Sequence, residues 1–248
     1  MKKKTENKNE IASDEILSLN SENEKKQERK IERELYWIFG VMIGLIIIFL
    51  VSNSVFESLS SFEYMGLKFT KDKLGDIPLY KHTYSFTDPR GITGQVINEP
   101  RTFNLFLRND PRKNNVSVDG EITIGTSNTL FISVNTTGLT ECKYSSVGIA
   151  SLTNFLAYNL VRVKGATPDQ ELANETGVEY ATCGTHSENQ VIIIQEGDET
   201  KIEKESSKCY IIKVNECEIL PAVEKFMVQS IIDARARNIE ISDNQVRF

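Results

Sequence analysis

The side chains with the widest chemical reach in this chain are few. Four cysteines, Cys142, Cys183, Cys209 and Cys217, stand with two histidines, His82 and His186. An even set of cysteines confined to one part of a chain reads as disulfides, and four of them permit three pairings. A strand end and the start of the next helix commonly lie close, which favours Cys209 with Cys217 and Cys142 with Cys183. A second chemistry competes. Cys183 and His186 have C-x-x-H spacing, and Cys209 and Cys217 would complete a tetrahedral zinc site if all three thiols stayed reduced. Outside the cytoplasm thiols oxidise, so disulfides are the preferred reading and no metal is expected. His82 falls in an expected strand with no ligand-spaced neighbour and reads as a surface or satisfied core residue.

No G-x-S-x-G, phosphate loop, dinucleotide loop, H-E-x-x-H or calcium loop occurs in the chain. No catalytic set and no cofactor are therefore expected. The net charge of -6, from 29 basic and 35 acidic residues, argues against nucleic acid as a partner, because phosphate binding needs a concentrated basic surface.

The elements that position these residues begin with a membrane span. Leu35 to Phe56 carries no charge, and at about 1.5 Å per residue it forms roughly 33 Å of helix, enough for the ~30 Å hydrocarbon core. Tyr36 and Trp37 suit the headgroup level. Lys25, Lys26, Arg29, Lys30 and Arg33 precede the span and the first basic residue after it is Lys68. That asymmetry predicts a cytoplasmic N-terminus and a C-terminal domain outside the cell membrane. A cleaved signal, with Ser52 and Ser54 near the cut, is the rival reading; the long tail and long apolar run favour a retained anchor. Gly40 and Gly44 form a G-x-x-x-G step on which a second copy could pack as a homodimer through the span, although glycine is frequent in membrane helices and that plain reading is preferred.

Residues 1–34 hold nine basic and nine acidic residues and few large apolar ones. They read as a largely disordered cytoplasmic tail; a solvated tail is the preferred reading, and Ile16 to Leu19 as a docking segment for an unknown protein partner is the alternative. The whole net charge then lies in residues 57–248.

That segment reads as an α+β domain, β-rich over 57–135 and mixed β/α over 136–238. Strands are predicted at 62–70, 77–86, 102–108, 116–124 and 129–134, with Gly75-Asp76 as a hairpin turn and Asp88 to Arg90 and Asp110 to Arg112 as proline turns. A helix from Val147 to Leu160, capped by Ser145 or Ser146, is predicted to cover a sheet. Further on, the pattern predicts a strand at 161–163, a short helix begun by Thr167-Pro168 and strands near 178–183, 191–196, 200–205 and 209–214. Gly197-Asp198 reads as a hairpin turn between the third-last and second-last strands. A closing helix carries Ile219, Leu220, Val223, Phe226, Met227, Ile231 and Ala234 on one face, with its start blurred by Pro221. Asn115, Asn135 and Asn174 head three glycosylation sequons, all on the outer side.

The order of these elements over residues 125–235, with Cys142-Lys-Tyr-Ser145 before a helix, resembles a thioredoxin-like domain. That resemblance implies thiol-disulfide exchange, with Cys142 as nucleophile and Ser145 in the place of the second cysteine; the family's proline is missing near Thr182. The motifs Phe62-x-Tyr64-x-Gly66-Leu67-x-Phe69, NLFLRNDPR at 104–112, Cys209-Tyr210 and Cys217 to Leu220 resemble membrane-anchored proteins of small archaea, which implies an envelope location. The functional expectation is a membrane-tethered, non-catalytic interaction or envelope protein. A thiol-disulfide oxidoreductase using Cys142 and a ligand-binding sensor signalling through the tail are the alternatives.

Overall fold

The computed structural model describes residues 35–52, 60–86, 101–125 and 129–245, with backbone alone at 86, 101 and 238–245. The tail with its Ile16 to Leu19 segment, the end of the apolar run at 53–56 and the Asp88 to Arg90 turn lie outside them. The chain divides into two units, Met1–Ser60 and Ser61–Phe248.

In the first unit, helix α1 (Leu35–Ser52) has a mean hydropathy of 2.6 and none of its span is buried. It is long and apolar enough to cross a membrane.

The second unit is an α+β body with two sheets. The first is an antiparallel meander of β1 (Ser61–Tyr64), β2 (Leu67–Leu74), β3 (Ile77–Phe86) and β4 (Arg101–Leu107), paired in that order. The expected strand 62–70 is broken in two, because Met65 and Gly66 take positive φ (49° and 77°) and close a tight turn between β1 and β2. Gly75-Asp76 turns β2 into β3.

The second sheet is mixed, in the order β5 (Ser117–Asp119), β10 (Lys201–Ser206), β11 (Cys209–Val214), β9 (Gln190–Glu196), β6 (Thr129–Val134), β7 (Arg162–Thr167) and β8 (Glu179–Tyr180). β5 covers only the first part of the expected 116–124 strand. Beyond it, side chains rather than strand partners hold the backbone: Asp233 accepts from Ile122 N at 2.7 Å, and Tyr210 Oη accepts from Thr123 N at 2.7 Å. Gly197-Asp198 is not a hairpin turn. β11 lies between β9 and β10, paired parallel to the former and antiparallel to the latter, so the turn carries the chain past an intervening strand. The hairpin is the one from β10 to β11.

Helices α2 (Ser145–Tyr158) and α4 (Ile219–Gln245) pack against each other, and the short α3 (Gln170–Thr176) sits beside β7 and β8. The caps differ from expectation. Tyr144 precedes α2 without a side-chain cap, because Ser145 Oγ donates instead to Leu139 O at 2.6 Å. Asp169, not Thr167, caps α3 by accepting from Glu171 N and Leu172 N, which places that helix two residues later, and Gly177 in the left-handed region ends it.

The central strands alternate strictly between faces. Leu130, Ile132, Ile192, Ile194, Ile212 and Val214 join the core with Leu152, Leu156, Val223 and Phe226 of the helices. Phe131, Val191, Ile193 and Cys209 point the other way into a small second cluster with Ala166 and Ala181. From Ile219 to Ser230 α4 is buried nearly all round, leaving only Pro221, Lys225 and Gln229 half-buried. A helix covered on both sides is the reason: Leu67, Phe69, Leu105 and Leu107 of the meander enter the same core as the large sheet. The helix pair therefore lies between the two sheets. Each large apolar side chain buried there contributes about 1.5–3 kcal/mol.

Candidate functional site

The cysteines pair as Cys142–Cys217 and Cys183–Cys209, with Cα separations of 5.2 and 5.6 Å. Both pairs differ from those the loops favoured. Cys209 opens β11 and Cys217 follows its end, so an extended strand of about 17 Å keeps them apart. Parallel pairing of β11 with β9 instead sets Cys209 opposite Val191, beside the segment that carries Cys183. Cys142 and Cys217 come together because α2 and α4 begin at the same place: Gly148 of α2 lies against Ile219, with a Cβ position 3.5 Å from Ile219 Cγ1. With Cys142 bonded to Cys217, and Ser145 turned onto Leu139, neither residue of the thioredoxin-like pair is a free thiol or faces one.

His186 is not beside a thiolate either. Its ring packs on Phe131 at 4.4 Å between centroids, and its Nε2 lies 3.6 Å from Glu179 Oε1. Among the described residues no group of three His, Cys, Asp or Glu side chains could hold a metal. Thr185 Oγ1 sits 3.0 Å from His186 Nδ1, but that hydroxyl also accepts Thr182 N at 2.9 Å in a local turn. The contact closes a loop rather than arming a nucleophile.

His82 is buried, its Nδ1 2.8 Å from Lys68 O, and it is one step in a row of rings. Phe62 stacks on Phe69 at 5.6 Å, Phe69 meets His82 at 5.2 Å, His82 meets Tyr84 at 5.9 Å and Tyr84 meets Phe103 at 6.0 Å; Phe103 in turn reaches Tyr158 of α2 at 6.1 Å. The row crosses all four strands of the meander. Period-two spacing is what aligns it: Tyr80, His82 and Tyr84 share one face of β3.

Two cavities open along this row, one of about 480 Å³ bounded by His82, Tyr84, Asn159, Arg235 and Arg237, the other of about 540 Å³ bounded by Phe103, Asn104, Asn154 and Tyr158. Tyr84 and Phe155 line both. Asn159 Nδ2 donates to Tyr84 Oη at 2.7 Å, while burial pushes the Tyr84 hydroxyl above its ordinary pKa and keeps it protonated. Arg235 donates to Gly66 O, and Arg237 pairs with Glu121. Apolar walls with a few fixed polar groups can hold a small molecule or a peptide side chain. Sequence reasoning missed this site, although the alternating aromatics of β3 carried a signal for it.

The remaining sequence-named residues lie apart. Gly40 and Gly44 share one face of α1 with nothing within 4 Å of either Cβ position. Asn115 is exposed just before β5, and Asn174 is exposed on α3. Asn135 is half-buried and its side-chain oxygen accepts Thr137 N at 3.1 Å. Asp110 caps a 3-10 turn at Pro111–Lys113 and pairs with Arg112 at 2.6 Å, which holds its carboxyl below the usual range.

No family model, curated protein or solved structure matches this chain.

Proposed function

We propose that this chain is a membrane-anchored binding protein, without catalysis of its own, whose second unit works outside the cytoplasm and takes its ligand along the aromatic row between β3, β4 and α2. The carrying observation is the combination of a fully exposed apolar helix with two disulfides, all four cysteines lying on one side of it. Lys25, Lys26, Arg29, Lys30 and Arg33 before the helix support an N-terminus inside. The cavities at Tyr84 and Phe155 support binding, and neither histidine is placed to activate a nucleophile.

The test is cysteine labelling of the full chain in intact cells with a membrane-impermeant maleimide. Ser187→Cys should react, and Ser21→Cys should react only after lysis. Reaction of Ser21→Cys in intact cells, or release of the protein from membranes by alkaline carbonate, would overturn the reading.

A sensor that passes occupancy of the cavities to residues 1–34 is the second reading, favoured by the defined groove. Proximity labelling from the tail should then recover cytoplasmic proteins, and an empty result removes it. Self-association through Gly40 and Gly44 is tested by Gly40→Ile, which should abolish crosslinking between copies.

A further inference from the structure

Residues Lys71 to Pro78, the far end of the β2–β3 hairpin, are all exposed. Among the described residues no other strand pairs with them. β1 pairs with β2 only as far as Ser61 opposite Thr70, and β4 pairs with β3 only from Tyr80 opposite Leu107. A two-stranded ribbon alone is marginal in water. Yet its tip is apolar: Leu74 and Ile77 face each other across the turn at 69% and 40% exposure. Alternation puts Leu74, Ile77 and the half-buried Leu79 on one face, with Asp72 opposite Leu79 and Lys81 farther along it, and Lys71, Lys73, Pro78 and Tyr80 on the other.

The tip and the start of β1 share one end of the second unit. β2 runs antiparallel to β1 and continues beyond it, so its last four residues carry the tip about 13 Å past Thr70 and its partner Ser61. Residues 53–60 join Ser52 of α1 to Ser61, a tether of at most about 30 Å.

We infer that the β2–β3 hairpin tip, led by Leu74 and Ile77, docks on the phospholipid surface of the membrane that α1 anchors. This rests on the membrane-anchor reading. Leu74, Ile77 and Leu79 enter the boundary between headgroups and acyl chains, and the Lys71, Lys73 and Lys81 ammonium groups meet lipid phosphates. Asp72 and Asp76 share the tip. Asp72 accepts Lys73 N at 2.8 Å, and Asp76, at the apex with Gly75, keeps the contact interfacial rather than deep.

The experiment uses the full chain in vesicles of phosphatidylcholine and phosphatidylglycerol. Leu74→Cys carries an environment-sensitive fluorophore, Ile77→Cys serves if that variant misfolds, and Asn174→Cys on α3 is the reference. At the tip the label should shift to the blue and be quenched by acyl-chain nitroxides several-fold more than at Asn174→Cys. Lys71→Glu with Lys73→Glu should reduce that quenching. Labels at the tip quenched no more than at Asn174→Cys, in protein that floats with the vesicles, overturn the docking. Labels shielded from water but unquenched by lipid nitroxides assign the tip to a second copy or a protein partner and overturn it equally. Protein that fails to float overturns the anchor reading instead.

Discussion

The Glu224 carboxylate in the second turn of α4 accepts the side-chain amide of Asn109 at 2.8 Å. It also accepts the backbone N–H groups of Arg108 and Asn109, at 2.5 and 3.1 Å. Glu224 is only 3% exposed, so one buried acid ties the end of the meander to the helix that also supports the large sheet. Burial outweighs those three donors and pushes its pKa above the ordinary carboxyl value.

Glu224→Ala should cost about 2–3 kcal/mol, because it strands buried donors as well as removing hydrogen bonds. Urea unfolding measures it. A loss below about 0.5 kcal/mol would show that water replaces the carboxylate without penalty.

The raised pKa has a signed consequence. The folded state holds the Glu224 proton more tightly than the unfolded state, so this group's contribution is complete below about pH 4.5 and is lost as the pH rises through the folded value. The ion-paired, half-buried acids Asp110, Glu179 and Glu203 have lowered pKa values and act in the opposite sense, so the comparison must be with Glu224→Gln. The wild type should gain on that variant as the pH falls from neutral toward 4.5, and a constant difference would refute the shift.

The two disulfides should not be equal. Cys142–Cys217 closes 75 residues and Cys183–Cys209 closes 26, so on loop entropy the first should contribute more by about 1 kcal/mol. Paired serine substitutions, compared by thermal unfolding, test the order. The double variant at Cys183 and Cys209 should be the milder one.

Gly148→Ala should raise stability by up to about 1 kcal/mol. The new methyl group meets Ile219 at ordinary contact distance, and alanine suits a helix better than glycine. A drop in melting temperature would mean that the two helices cannot absorb the methyl group.

Much of the fold was legible locally. The six-residue strand at 129–134, the buried run at 191–196 and the closing helix follow from period and apolar content, because each reports on its own burial. The caps were read less well, since Ser145 had a carbonyl within reach that no local rule anticipates. The candidate cavities were not read at all: Tyr84, Phe103 and Phe155 come from separate elements and meet only on folding.

Sequence by itself determined the α+β character, the uncharged helix and the side of it on which every cysteine lies, since these depend on composition and spacing along the chain. Tertiary structure alone decided which cysteines meet, that β11 enters between β9 and β10, and that one helix pair serves two sheets. Those outcomes depend on packing energies shared between segments far apart in sequence, and no local pattern encodes a distance that arises only when both partners are buried together.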